Sequence, residues 1–193
     1  EGVKEFLGHS GEFNGEEIIR IICEQESTAR FIARHLYNFF VSDEPSVPSW
    51  PYVPPQDPEA IQILVDAYFD SSYDIKHMLR VLFNSDFFKD EKIRYQKIKS
   101  PTELVVGTLR MTEEFDRPRY EMVIRNVQIG WMGQFLNNPF TVEGWHQGLE
   151  WIDSGTLLER LNFLSEQFGD IAKPGVSKIV DKLFEASGDF SSD

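Results

Sequence analysis

Residue types that could do chemistry gather most closely in one stretch, Asn138 to Phe163. It holds Trp145 and Trp151, the acids Glu143, Glu150 and Asp153, and glycines at 144, 148 and 155. Indole rings that stack on sugar faces, beside carboxylates that accept hydroxyl hydrogens, are the makings of a carbohydrate site. These five residues are therefore the candidate ligand-binding set. Glycoside hydrolysis would need two of the acids across a scissile bond, roughly 5 to 9.5 Å apart. The same residue types also serve a structural end. Two indoles turned inward would anchor a loop that has little regular hydrogen bonding, with Arg160 and Asn162 of the next helix donating to its carbonyls. We take the structural plug as the first reading and the ligand site as the alternative. Neither names a catalytic residue.

Other chemistry finds less support. His9, His35, His77 and His146 are scattered over four segments, and no His-Glu-x-x-His helix is present, so no metal site is expected. The single cysteine, Cys23, lies in an apolar helical stripe without a flanking His or Lys, which is the setting of a small packing residue. There is neither a P-loop nor a dinucleotide fingerprint, and no cofactor is expected. The net charge of -13 and a pI near 4.7 argue against nucleic acid, whose binding rests on cationic contacts. No apolar run reaches the roughly 18 residues of a membrane span, so membrane insertion is not expected.

The elements that must position these residues are helices. Apolar positions repeat at helical spacing along most of the 193 residues, and no alternating strand pattern stands out. The expectation is an all-α, irregular multi-helix bundle forming a single domain over 1–193, with the Gly/Trp-rich loop packed on the helices. Glu1 to Leu7 reads as the end of an earlier helix. Ile18, Ile19, Ile22 and Cys23 mark the next helix, and Ser27 reads as the cap of another whose stripe is Ile32, Leu36, Phe39 and Phe40. Residues 42–58 form a proline-rich internal linker, extended because proline fixes φ and removes a donor, with Trp50 and Tyr52 pinning it to the helical body.

Beyond the linker, Ile61, Leu64, Val65 and Tyr68 form a clean stripe, and Asp74 caps a helix bearing Met78 and Leu82. His77 reads as solvent-facing. Ser100-Pro-Thr-Glu103 is a full helix-start signature, with an N-cap, a proline at N1 and a capping box. Thr112 to Arg119 is a polar break. Val123, Ile124 and Val127 follow on a helix that weakens at Gly130 and Gly133. Asp153 or Ser154 caps a helix with stripe Leu157, Leu161, Leu164 and Phe168. Pro174 opens the last helix, carrying Val176, Ile179, Val180, Leu183 and Phe184, and Gly188 stops it.

Several pieces in this order resemble a bacterial family, domain of unknown function 1800. They are Phe6-Leu-Gly8 with Gly11-x-Phe-x-Gly15, Thr28 to Arg34, Phe39-Phe-Val-Ser42, Ile75 to Phe88, Lys99-Ser-Pro-Thr-Glu103 and Met132-Gly-Gln134. The most specific is Gly144-Trp with Trp151-Ile-x-Ser-x-Thr-Leu-Leu-x-Arg-x-Asn-Phe163. The chain departs from the pattern in its long proline-rich linker and in Asn138-Pro-Phe140, which replaces a double proline. The resemblance implies a helical, exported bacterial protein, with this chain as a C-terminal fragment, whose partners are themselves poorly characterised. It supplies no reaction, cofactor or catalytic residue. The sequence reading is thus a non-catalytic helical interaction module with an unknown protein partner. The alternative is a carbohydrate-active or other hydrolytic enzyme using the Trp145–Trp151 loop.

Overall fold

The computed structural model describes residues 2–187 and is predominantly helical, with nine α-helices among the described residues. The chain divides between Lys97 and Ile98 into two compact units.

The first unit opens with an element the sequence pattern concealed. Instead of a helix end, Lys4–Phe6 (β1) pairs antiparallel with His9–Gly11 (β2), in the register Lys4↔Gly11, Glu5↔Ser10 and Phe6↔His9. Leu7 and Gly8 both take positive φ, 47° and 80°, as a two-residue hairpin turn of primed type demands. The glycine supplies that turn, and three-residue strands are too short to leave an alternating trace.

Helix α1 (Gly15–Cys23) is capped by Asn14 in a reciprocal box with Glu17. Its buried residue is Ile21, whereas Ile19 and Ile22 are exposed. Helix α2 (Glu26–Phe40) starts before Ser27: Gln25 is its N-cap, and its side chain makes no capping bond but donates back to the Ile21 carbonyl at 3.0 Å. Its inward face is made of Ala29, Ala33 and Tyr37, and Phe39 points to solvent while Ile32, Leu36 and Phe40 pack at the margin. The small alanines let α3 (Pro58–Asp70) approach closely. That helix buries Ile61, Leu64, Val65 and Tyr68, as their spacing predicts. Complete burial of a side chain such as Leu64 contributes about 1.5–3 kcal/mol. Helix α4 (Ile75–Asn84), capped by Asp74, adds Met78 and Leu82; His77 on it is half-buried rather than solvent-facing. The single turn α5 (Asp86–Lys89) lays Phe87 and Phe88 against the same core.

The proline-rich linker is a strap held by one buried ion pair. Arg34 of α2 donates from Nε and Nη2 to Glu44 Oε2, at 2.8 and 2.6 Å. Its Nη1 reaches the Val53 carbonyl at 2.9 Å, and its Nη2 the Pro54 carbonyl at 3.2 Å. The other Glu44 oxygen accepts from the Gln56 N–H. Trp50 does pin the strap: its indole N–H donates to the Pro45 carbonyl, and its ring lies against His35 and under the Arg34 guanidinium. Tyr52 does not, being almost fully exposed.

The second unit contains α6 (Pro101–Thr112), α7 (Met122–Trp131), α8 (Ser154–Phe168) and α9 (Pro174–Ser187). Ser100 and Glu103 make the expected capping box on α6. Val105, Ile129, Met132 and Phe163 form the core of this unit. The polar break begins at Glu113, one residue later than expected: Thr112 is the fully buried end of α6, and α9 crosses it at Gly175. A Cβ at Gly175 would lie 2.6 Å from the Thr112 carbonyl carbon and closer still to the Met111 oxygen, so only glycine permits this crossing.

Helix faces are where pattern and packing part. On α7 the buried residues are Ile129 and Gly130, while Val123, Ile124 and Val127 face outward. On α8 the buried face is Arg160, Phe163 and Gln167, and Leu157 and Leu161 are exposed. Leu183 and Phe184 of α9 are exposed as well. The expected stop at Gly188 lies outside the described residues.

Candidate functional site

The loop between α7 and α8 is built on three side-chain anchors. Gln134 Oε1 accepts from both the N–H and the hydroxyl of Thr102, at 2.8 and 2.7 Å, tying the start of the loop to the first turn of α6. Trp145 is half-buried and donates its indole N–H to the Phe135 carbonyl at 3.1 Å. Trp151 is 4% exposed, with its six-membered ring close to Gly133, where φ is +101° and a Cβ would sit 3.8 Å from the ring. The Thr156 hydroxyl donates to the Trp151 carbonyl at 2.9 Å and so joins the buried indole to the first turn of α8.

The acids of the loop differ in their engagements. Glu150 accepts from the Gln147 N–H at 3.3 Å, closing a box around the 3₁₀ turn Gly148–Trp151, and lies 3.9 Å from His146 Nδ1. Asp153 caps α8, its Oδ1 accepting from the N–H groups of Gly155 and Thr156 at 2.7 and 3.0 Å. Those backbone hydrogen bonds, Thr156 first, hold the Asp153 carboxyl below its ordinary range. Glu143 is exposed. Arg160 is buried but donates outside the loop, from Nη1 to the Lys99 carbonyl at 2.9 Å, immediately before the α6 capping box. Its Nε and Nη2 have no partner among the described residues, and burial lowers its pKa. Asn162 is on the exposed side of α8. Of the seven residues singled out in the sequence, Glu150, Trp151 and Asp153 share the short turn into α8.

A residue absent from that set completes the surface. An open groove is lined by Trp131, Asp153, Gly155, Thr156, Leu158 and Glu159, bringing an exposed indole beside two carboxylates. The run Gly130-Trp-Met-Gly133 was the available signal. Its glycines suggested only a weakening helix, and nothing in the spacing linked Trp131 to residues twenty or more positions away.

A second cluster of charge in this unit is structural. Glu114 accepts from Arg125 at 2.5 Å and from Lys173 at 2.9 Å, and Arg125 also reaches Glu166 at 3.0 Å. Burial works to raise the Glu114 pKa, but the hydrogen bonds and charges of Lys173 and Arg125 outweigh it and hold the carboxyl below its usual value. Among the described residues no group of three or more His, Cys, Asp or Glu is placed to hold a metal ion, and no helix is long and apolar enough to cross a membrane.

Capped helices, a strap fixed by a buried ion pair and a tryptophan-anchored loop define the chain as an all-α protein. It belongs to the family described as Protein of unknown function (DUF1800), which matches residues 1–190. No curated protein and no solved structure matches it.

Proposed function

We propose that this chain is a non-catalytic helical module that acts by binding another protein. The observation that carries the reading is the outward apolar face of α7 and α8. Val123, Ile124, Val127 and Trp131 are exposed on the first helix, and Leu157, Leu158 and Leu161 on the second. Grouped apolar side chains of this size, left in water, mark contact surfaces of soluble proteins. The loop chemistry supports the same reading. Glu150 and Asp153 serve in capping, and Trp151 is buried away from any sugar face. Export from a bacterial cell is part of the proposal and rests on family kinship alone.

The test is chemical cross-linking of the full-length protein in its own source, comparing wild type with Leu161→Asp. Loss of a stoichiometric partner, with the melting temperature retained, is the expected result. An unchanged partner set at unchanged yield sinks the reading. One observation favours a second: the exposed Trp131 ring beside Asp153 and Glu159 also suits a sugar, so carbohydrate is the alternative ligand. A glycan-binding screen of wild type against Trp131→Ala tests it.

A further inference from the structure

Resting on the interaction reading above, we propose that the groove at the start of α8 receives an arginine side chain of the partner protein. Three observations converge on that chemistry. The first is the charge. Asp153 and Glu159 both line the groove, and the Glu159 side chain makes no hydrogen bond or ion pair with any described residue. An anionic ligand would meet two carboxylates, on a chain whose net charge is already -13. A second copy of this chain is disfavoured for the same reason.

The second observation concerns the helix end. The N-terminus of a helix ordinarily attracts anions through its free N–H groups. Here the N–H groups of Gly155 and Thr156 are both taken by Asp153 Oδ1. The end of α8 is therefore already neutralised by a fixed carboxylate, and its remaining oxygen and Glu159 set the sign of the groove.

The third is the ring. Trp131 is 58% exposed at the groove wall, opposite in character to the carboxylates. A guanidinium stacks on an indole face and, with its planar fork, bonds carboxylates at the same time; an ammonium is a more strongly hydrated point charge and does this less well. Leu158 adds an apolar wall for the methylene stem or for a neighbouring apolar residue of the partner. Arginine satisfies the ring, the charge and the apolar wall together, whereas a neutral sugar leaves the charge unused.

The experiment uses the ¹⁵N-labelled protein and capped tripeptides as probes. The Trp131 indole N–H signal is assigned by its disappearance in Trp131→Phe. Acetyl-Leu-Arg-Leu-amide should shift that signal saturably, and more weakly as salt rises. Replacing the arginine with its neutral isostere citrulline should weaken binding at least fivefold, and so should Glu159→Gln in the protein. Equal binding of the citrulline peptide overturns the proposal without any need for a variant to fold. So does a Trp131 signal that cellohexaose moves and the arginine peptide does not. If the peptide leaves Trp131 unmoved while Leu161→Asp still abolishes the partner, the groove inference fails and the interaction reading stands. If Leu161→Asp leaves the partner set unchanged, both fail.

Discussion

Trp151 and the Arg34–Glu44 pair are buried anchors of two stretches of irregular backbone. Trp151 is buried at the junction of the loop and α8, so its truncation removes packing atoms and leaves a cavity. Such changes cost about 3–5 kcal/mol, a large share of the stability of a small domain. Trp151→Ala should lower the melting temperature strongly, whereas the exposed Glu143→Gln should leave it within about a degree; equal melting of Trp151→Ala and wild type would contradict the plug. The ion pair makes a comparable claim on the strap. Its side chains are 7% and 0% exposed, and removing one partner leaves an uncompensated buried charge. Glu44→Gln is expected to cost about 3–5 kcal/mol, measurable by urea denaturation. Exposed pairs such as Arg20–Glu24 should contribute well under about 1 kcal/mol by the same measurement.

Individual helices were legible in the sequence at their starts and much less so on their faces. Ser100 and Asp74 were readable, and Asp153 as one of two candidates with Ser154, because a cap is a local device in which side chain and recipient N–H lie within three residues of each other. Ser27 misled because α2 starts on Gln25 without a side-chain cap. Ser100→Ala should accordingly cost about 1 kcal/mol of stability, read from the same denaturation curves. The inward face of a helix depends instead on partners elsewhere in the chain. Around α8 the apolar residues Leu157, Leu158, Leu161, Phe163, Leu164 and Phe168 occupy more than half the circumference, so periodicity leaves the phase open. Packing selects Phe163 together with Arg160 and Gln167, and the leucines at 157, 158 and 161 are left outside. Trp131 was missed for the same reason, since its importance comes from what α8 places beside it. The closest crossing, α9 over the end of α6, turns on Gly175. Gly175→Ala must push α9 away from backbone atoms that cannot yield, at a cost of about 1–3 kcal/mol, and a Gly175→Ala protein as stable as wild type would contradict the packing described.

For the molecule as a whole, acidity is the condition to which these interactions are most exposed. Burial against Phe31 and Trp50 lowers the His35 pKa below 6.5, so the folded chain keeps the ring neutral while the unfolded chain takes up a proton. Stability therefore begins to fall as pH drops below about 6.5, and His35→Gln should remove that first decline. Glu114, held below its usual value of 4.5, contributes stability that is present above that pH and is lost as pH falls through its folded pKa. Melting temperatures across the range from neutral to strongly acidic pH should show both stages; a profile that stays flat until the carboxylates titrate would exclude the first. The same surplus of carboxylates should keep duplex DNA unbound at physiological salt in a mobility-shift assay. The strap of residues 42–58 has a further consequence, in terms of descent. Losing either Arg34 or Glu44 strands a charge, and exchanging both for apolar residues removes that charge but takes hydrogen-bond partners from the Val53 and Pro54 carbonyls and the Gln56 N–H. Any replacement must therefore change both residues together and satisfy the strap backbone by other means, so a lineage that carries this strap will inherit the arginine and the glutamate as one unit.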